Sequence, residues 1–175
     1  MKPGDSSSLC LECGLCCNGV IFADGQLQPG DDAPHLRSLG LKFAPNQKPK
    51  IKNLKFLQPC ACFDGRRCQI YSDRPKYCRE FECLLLKSVK AGRTDTPAAL
   101  RIIRNARLRV DKVKRLLRDL GNTEEDLALS KRFRKVKRHV ESADLNDDAA
   151  EKFGELTLAV HDLNVLLSEA FYPST

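Results

Sequence analysis

The sequence has no tryptophan, few aromatic residues, and no cysteine after position 83. It also lacks long apolar segments: runs such as residues 84–86 are three residues long, against the roughly 20 that a transmembrane helix requires. Residues 1–30 contain no apolar stretch of the kind found in secretory signals. We therefore expect a cytoplasmic protein without a membrane span.

All nine cysteines lie in the first 83 residues. In a reducing compartment, thiols clustered this closely are more often metal ligands than disulfides. Their odd number would also leave at least one thiol unpaired in any scheme built only of disulfides. The cysteine pattern therefore predicts a metal site in the first half of the chain.

The remainder of the chain differs in composition and in charge. Residues 93–139 carry a net charge of +9 and residues 140–175 carry −7, within a total of +7. We predict a disordered N-terminus over residues 1–8, a cysteine-cluster metal-binding module over 9–92 and a helical extension over 93–175.

Helical periodicity dominates the extension. Thr96-Pro97 and Gly121 bracket one predicted helix, a near capping box at Thr123 opens a second, and Asn146 or Asp147 opens a third. Apolar residues recur at spacings of three and four in all three, which is typical of an antiparallel helical hairpin or bundle.

The cysteine-rich half shows short elements instead. We predict a tight loop over residues 10–17, a strand over 20–22, a hairpin turn at Asp64-Gly65 and a helix opening near Pro75. The predicted fold class is therefore α+β: a small irregular metal-binding module packed against an antiparallel helical bundle.

Eight of the cysteines follow a known pattern. The segments CLECGLCC, PC and CQIYSDRPKYCREFEC resemble the CxxCxxCC family of zinc- or iron-chelating domains, also called YkgJ-like cysteine-cluster proteins. The resemblance covers roughly residues 10–83, and Cys62 is an extra cysteine relative to it. It implies a metal centre and these ligands: Cys10, Cys13, Cys16, Cys17, Cys60, Cys68, Cys78 and Cys83.

The spacing adds a physical argument. Cys10, Cys13 and Cys16 form a C-x2-C-x2-C run that, with Cys60 or Cys68 as a remote fourth thiolate, completes the Cys₄ set used by zinc and by [4Fe–4S] clusters. Structural zinc more often uses two C-x2-C knuckles, and residues 60–83 offer none, so the spacing favours an iron–sulfur cluster over zinc. Cys17 serves a second site, bridges a polynuclear one, or is not a ligand.

Two functional hypotheses follow. The first is an iron–sulfur protein with an electron-transfer or redox-partner role. The alternative is a zinc-stapled binding module whose basic helices contact nucleic acid or an acidic protein. No catalytic constellation is recognisable, and any enzymatic role would be that of an Fe–S-dependent oxidoreductase.

Overall fold

The structure is a computed structural model that describes residues 6–45, 54–142 and 147–172. It is 56% helical with one small antiparallel sheet, which confirms the predicted α+β class. The chain divides into two compact units, Met1–Glu82 and Cys83–Thr175. The predicted boundary at residue 92 stays a prediction. The disorder predicted for residues 1–8 also stays a prediction, and residues 1–5 lie outside the described ones. No helix in the described ranges is long and apolar enough to cross a bilayer.

The first unit is built from short elements around a small aliphatic core. In chain order these are α1 (Ser6–Cys13), β1 (Asp24–Gln26), α2 (Ala33–Ser38), β2 (Lys55–Leu57) and α3 (Lys76–Glu80). Strands β1 and β2 pair antiparallel, with Gly25 opposite Phe56. The core beside them consists of Leu27, Ala33, Leu36, Leu41, Leu54, Phe56, Cys62 and Ile70.

Two predictions for the start of this unit are corrected by the structure. The tight loop predicted over residues 10–17 is wrong for residues 10–13, which belong to α1. The turn begins at Gly14, whose φ is 66°. The strand predicted at 20–22 lies at Asp24–Gln26 instead. The reason is that pairing with β2 decides which residues form the strand, and the apolar run at 20–22 does not.

The chain turns at Asp64-Gly65 as predicted, but extended strands do not flank the turn. One isolated bridge joins Phe63 to Cys68, and the Asp64 side chain accepts hydrogen bonds from the N–H groups of Arg66 and Arg67. The helix predicted from Pro75 breaks after Glu80, where extended backbone at Phe81 separates α3 from α4 (Leu84–Lys90).

The second unit is organised by two 24-residue helices, α5 (Thr96–Asp119) and α7 (Asp147–Ala170). Asp95 caps α5 by accepting a hydrogen bond from Ala98 N–H at 2.6 Å. Lys112 pairs with Glu155, and Arg109 donates to the carbonyl of Asp162. Between these two contacts the residue number falls from 112 to 109 in α5 and rises from 155 to 162 in α7, so the two helices run antiparallel.

Helix α6 (Leu129–Ser142) begins six residues later than the capping-box signal at Thr123 predicts, because residues 123–127 form a turn. Arg132, one of the basic residues of α6, is 1% exposed. Its guanidinium donates to the side-chain oxygen of Asn122 at 2.7 Å and to the Asn122 carbonyl at 2.8 Å. The charge is thus buried in the α5–α6 connection, with Glu124 and Glu125 nearby.

We expect Asn122→Ala to destabilise the second unit by about 2 kcal/mol, because it leaves a buried charged donor without its side-chain acceptor. The matched control is Asn105→Ala, where Asn105 makes an exposed 3.3 Å hydrogen bond with Arg109. Urea unfolding followed by helical circular dichroism measures both. Equal midpoints for the two variants would contradict the structural role of the Arg132–Asn122 pair.

Candidate metal centre

Four of the cysteines lie close enough to interact electrostatically and form one group: Cys17, Cys60, Cys68 and Cys78. Cys13 also acts on Cys17, and Cys62 also acts on Cys60. Cys17 follows α1, Cys60 follows β2, Cys68 ends the Asp64-Gly65 turn and Cys78 lies within α3. We call these four residues the thiol quartet. Cys17 lies 43 residues before Cys60, so the tertiary fold brings it to the other three, which follow one another at separations of 8 and 10 residues.

Burial dominates the electrostatics of the quartet. Desolvation raises the pKa of Cys17, Cys60 and Cys78 to about 12 each. It also raises the pKa of Cys68. The nearby thiols act in the same direction on Cys17, Cys60 and Cys78, because like charges oppose one another's ionisation. Without a cation the four groups are therefore neutral thiols at neutral pH.

Two contacts hold the Cys17 segment to the Cys60–Cys68 segment. The N–H of Cys60 donates to the Cys17 carbonyl at 2.7 Å. The ring of Phe63 lies directly over Gly14, where a Cβ would come within 2.5 Å of the ring. A glycine is thus required there both by its positive φ and by the close approach of the ring.

A guanidinium provides the positive charge beside the quartet. Arg74 stacks on the ring of Tyr71 at 3.5 Å from the centroid, and its Nε donates to the Tyr71 carbonyl at 2.8 Å. While burial raises the pKa of Cys68 and Cys78, the charge of Arg74 opposes that rise at both. The sequence alone left two roles open for Arg74, as a donor to the metal centre or as a partner of Asp73 or a backbone carbonyl.

A carboxylate orients the helix that carries Cys78. Asp31 is 9% exposed, accepts from Lys76 N–H at 2.8 Å and accepts from Gln28 N–H at 2.8 Å. Asp31 therefore ties the start of α3 to the loop before α2. Nothing in the local sequence indicates this contact, which spans 45 residues.

Cys62, the extra cysteine, has a different environment. It is 5% exposed within the aliphatic core, and its thiol donates to the Leu39 carbonyl at 3.5 Å. Burial raises its pKa. These features suit a small apolar side chain that fills the core next to Cys60.

The remaining predicted ligands divide between the two units. Cys10 and Cys13 lie on α1, one turn apart, and Cys10 is exposed. Cys16 lies in the turn that follows and acts electrostatically on Tyr77. Cys83 belongs to the second unit, where its sulfur caps α4 by accepting from Leu86 N–H at 3.4 Å. The roles of all eight predicted cysteines as metal ligands stay predictions.

The chemistry of the donors fits a thiolate-bound metal. Soft sulfur ligands are the set that zinc and iron–sulfur clusters use. Within the described ranges, however, no three histidine, cysteine, aspartate or glutamate side chains are already placed around a single ion position. The quartet is thus a gathering of suitable donors, not a finished mononuclear geometry.

We expect Gly14→Ala to cost about 3 kcal/mol, because it adds a clash with Phe63 to the strain of a positive φ. Gly30→Ala is the control: its φ is 96°, but a Cβ there meets nothing within 4 Å. We expect that change to cost about 1 kcal/mol. Unfolding midpoints of both variants test the difference, and a Gly14 variant as stable as the Gly30 variant would contradict the Phe63 contact.

Comparison with known proteins bears on the same residues. No curated protein and no solved structure matches the chain. One family model does match, over residues 9–99, which is more than half of the chain and includes all nine cysteines. This chain therefore belongs to the CxxCxxCC family, described as a putative zinc- or iron-chelating domain.

Proposed function

We propose that the thiol quartet binds an iron–sulfur cluster and that the protein works in electron transfer or as a redox partner. The observation that supports this most directly is the convergence of four half-buried thiols, in which Cys17 from a distant segment meets Cys60, Cys68 and Cys78. Thiols contribute little to stability as hydrogen-bond donors, so four of them in one place are better explained as ligands. An iron–sulfur cluster supplies one-electron redox chemistry when bound.

One feature favours a cluster over a single zinc ion. Structural zinc more often uses two C-x2-C knuckles, and the part of the chain with Cys60, Cys68 and Cys78 contains none.

The surroundings of the quartet also suit a redox centre. Phe22 stacks edge-to-face on Tyr77 at 5.6 Å and on Phe81 at 4.8 Å. Tyr77 in turn lies 6.3 Å from Phe56, centroid to centroid. This aromatic group lies next to Cys78 and limits the access of water, and solvent exposure is one of the factors that set the potential of a cluster.

The proposal is tested by iron, acid-labile sulfide and the visible spectrum of anaerobically purified full-length protein. We expect roughly four irons and four sulfides per quartet, with absorption near ~400 nm. Colourless protein with stoichiometric zinc and no sulfide would overturn the iron–sulfur assignment. That result would leave a zinc-stapled module as the function of the cysteines.

Single variants test the ligand set. We expect Cys17→Ser and Cys78→Ser to lose the metal of the quartet and to destabilise the first unit, since metal binding and folding are coupled. Cys62→Ala is the control and should keep its metal. If Cys13→Ser loses only part of the metal, a second centre exists; if Cys17→Ser keeps all of it, the quartet is wrong.

Arg74 offers a test of the electrostatics. We expect Arg74→Met to raise the rate of metal loss to a chelator about tenfold, because the metal–thiolate centre loses its nearest positive charge. Arg79→Met is the control, since Arg79 also neighbours Cys78 in sequence but is exposed. Equal rates for the two variants would show that Arg74 only supports the backbone at Tyr71.

A further inference from the structure

The outer face of α5 combines exposed arginines with an exposed leucine. At about 100° per residue, Arg101, Arg104, Leu108 and Arg115 fall within a strip about 60° wide. Leu108 is 70% exposed. The three arginines have no ion-pair partner in the described part of the chain, whereas Lys112 and Arg118 are paired within the unit. We call these four residues the basic strip.

The outer face of α7 has the opposite charge and the same apolar centre. Leu158 is 68% exposed and Val165 is 40% exposed. By the same helical geometry they share about 60° of the helix surface with acidic residues that have no side-chain ion pair in the described ranges. We call this set the acidic strip: Glu151, Leu158, Asp162, Val165 and Glu169.

Both strips border one side of the α5–α7 pair. The Lys112–Glu155 ion pair and the Arg109–Asp162 hydrogen bond cross between the helices on that side. These two contacts also show which residues of α5 and α7 lie at the same height along the helix axes. They place Leu108 at the height of about position 161, midway between Leu158 and Val165.

The charged ends of the strips match in the same way. By the same contacts, Arg101 is level with about position 168, beside Glu169. Arg115 lies within about one turn of the level of Glu151. Arg101 and Arg115 therefore each have a carboxylate within about one helical turn of their own height, but on the neighbouring helix and directed outward, whereas Arg104 is level with Val165.

A glycine in the middle of α7 supports a close approach from outside. Gly154 is exposed within the helix, where glycine costs about 1 kcal/mol relative to alanine. A Cβ at this position meets no atom within 4 Å. No atom in the part of the chain that the structure describes therefore requires glycine there, whereas a helix packed onto this face would use the space.

We propose that this face is the interface of a homodimer, with the basic strip of each copy on the acidic strip of the other. A two-fold axis parallel to the helices places α5 of one copy opposite α7 of its partner. This rotation does not change the height of any residue along the helix axes. Leu108 then enters between Leu158 and Val165 of the second copy, as a knob enters a hole. A two-fold axis across the helices would instead place arginines on arginines, which like-charge repulsion disfavours.

The size of the face is adequate for such a dimer. Each 24-residue helix is about 36 Å long and about 10 Å wide. Two helices side by side present about 700 Å² per copy, close to the about 800 Å² of a standard interface. Since the charges are exposed, the association should weaken with salt.

The mass of the full chain, as purified, measured by sedimentation over a range of concentrations and salt, tests the proposal. We expect a dimer at low salt whose dissociation constant rises about tenfold or more in Leu108→Asp, because a carboxylate then faces the acidic strip. Leu39→Asp is the control, since Leu39 is 36% exposed and lies in the other unit. Equal weakening by both changes would overturn the assignment of the face.

A charge exchange tests the pairing itself. The variants Arg101→Glu with Arg115→Glu and Glu151→Arg with Glu169→Arg should each be monomeric, and mixing them should restore dimers. A protein that stays monomeric at all concentrations, or binds RNA through the basic strip instead, would overturn the proposal. Masses that grow beyond the dimer would contradict the two-fold arrangement and indicate head-to-tail contacts.

Discussion

The energetic constraint at the centre of the first unit is that thiolates are not buried without a cation. Desolvation keeps Cys17, Cys60 and Cys78 neutral when no metal is present, with pKa values of about 12. A metal reverses this balance, because it binds the deprotonated sulfur and releases the proton. On the proposal that the quartet binds a metal, its ionised thiols become favourable only once the metal is bound, and the contacts around it serve to bring the donors together.

Those contacts are few and specific, which is expected for a unit with a small core. Phe63 over Gly14 joins the segments of Cys17 and Cys60, and Asp31 fixes the start of the helix with Cys78. The aliphatic core beside them contains eight buried residues. A core of this size is marginal by itself, so small domains of this kind commonly depend on metals or disulfides. The second unit has longer helices with continuous aliphatic faces and needs no such support.

The sequence predicts what depends on local pattern. Helices α5 and α7 were predicted close to their ends, because apolar periodicity and capping residues act within a few residues. The start of α6 was wrong, because the capping-box pattern at Thr123 forms a turn of its own. The burial of Arg132 was missed, since it depends on Asn122 in the preceding loop. The grouping of Cys17 with Cys78 likewise needs contacts that no spacing rule contains.

The charge asymmetry of the second half follows the same division between local and tertiary effects. Some basic residues of α5 and α6 are neutralised inside the unit, as Lys112 is by Glu155 and Lys135 by Glu124. The acidic helix could in principle neutralise the rest. It does not, because the antiparallel α5–α7 packing directs aliphatic residues inward and leaves both charged strips facing outward. Opposite charges on α5 and α7 lie at similar heights but face outward, so they do not pair within one copy. They can pair between two copies, because the two-fold rotation places α5 opposite α7 of the partner and keeps every residue at its height along the helix axis. The order of charges along the chain is therefore explained better by self-complementarity than by a uniformly basic surface for nucleic acid.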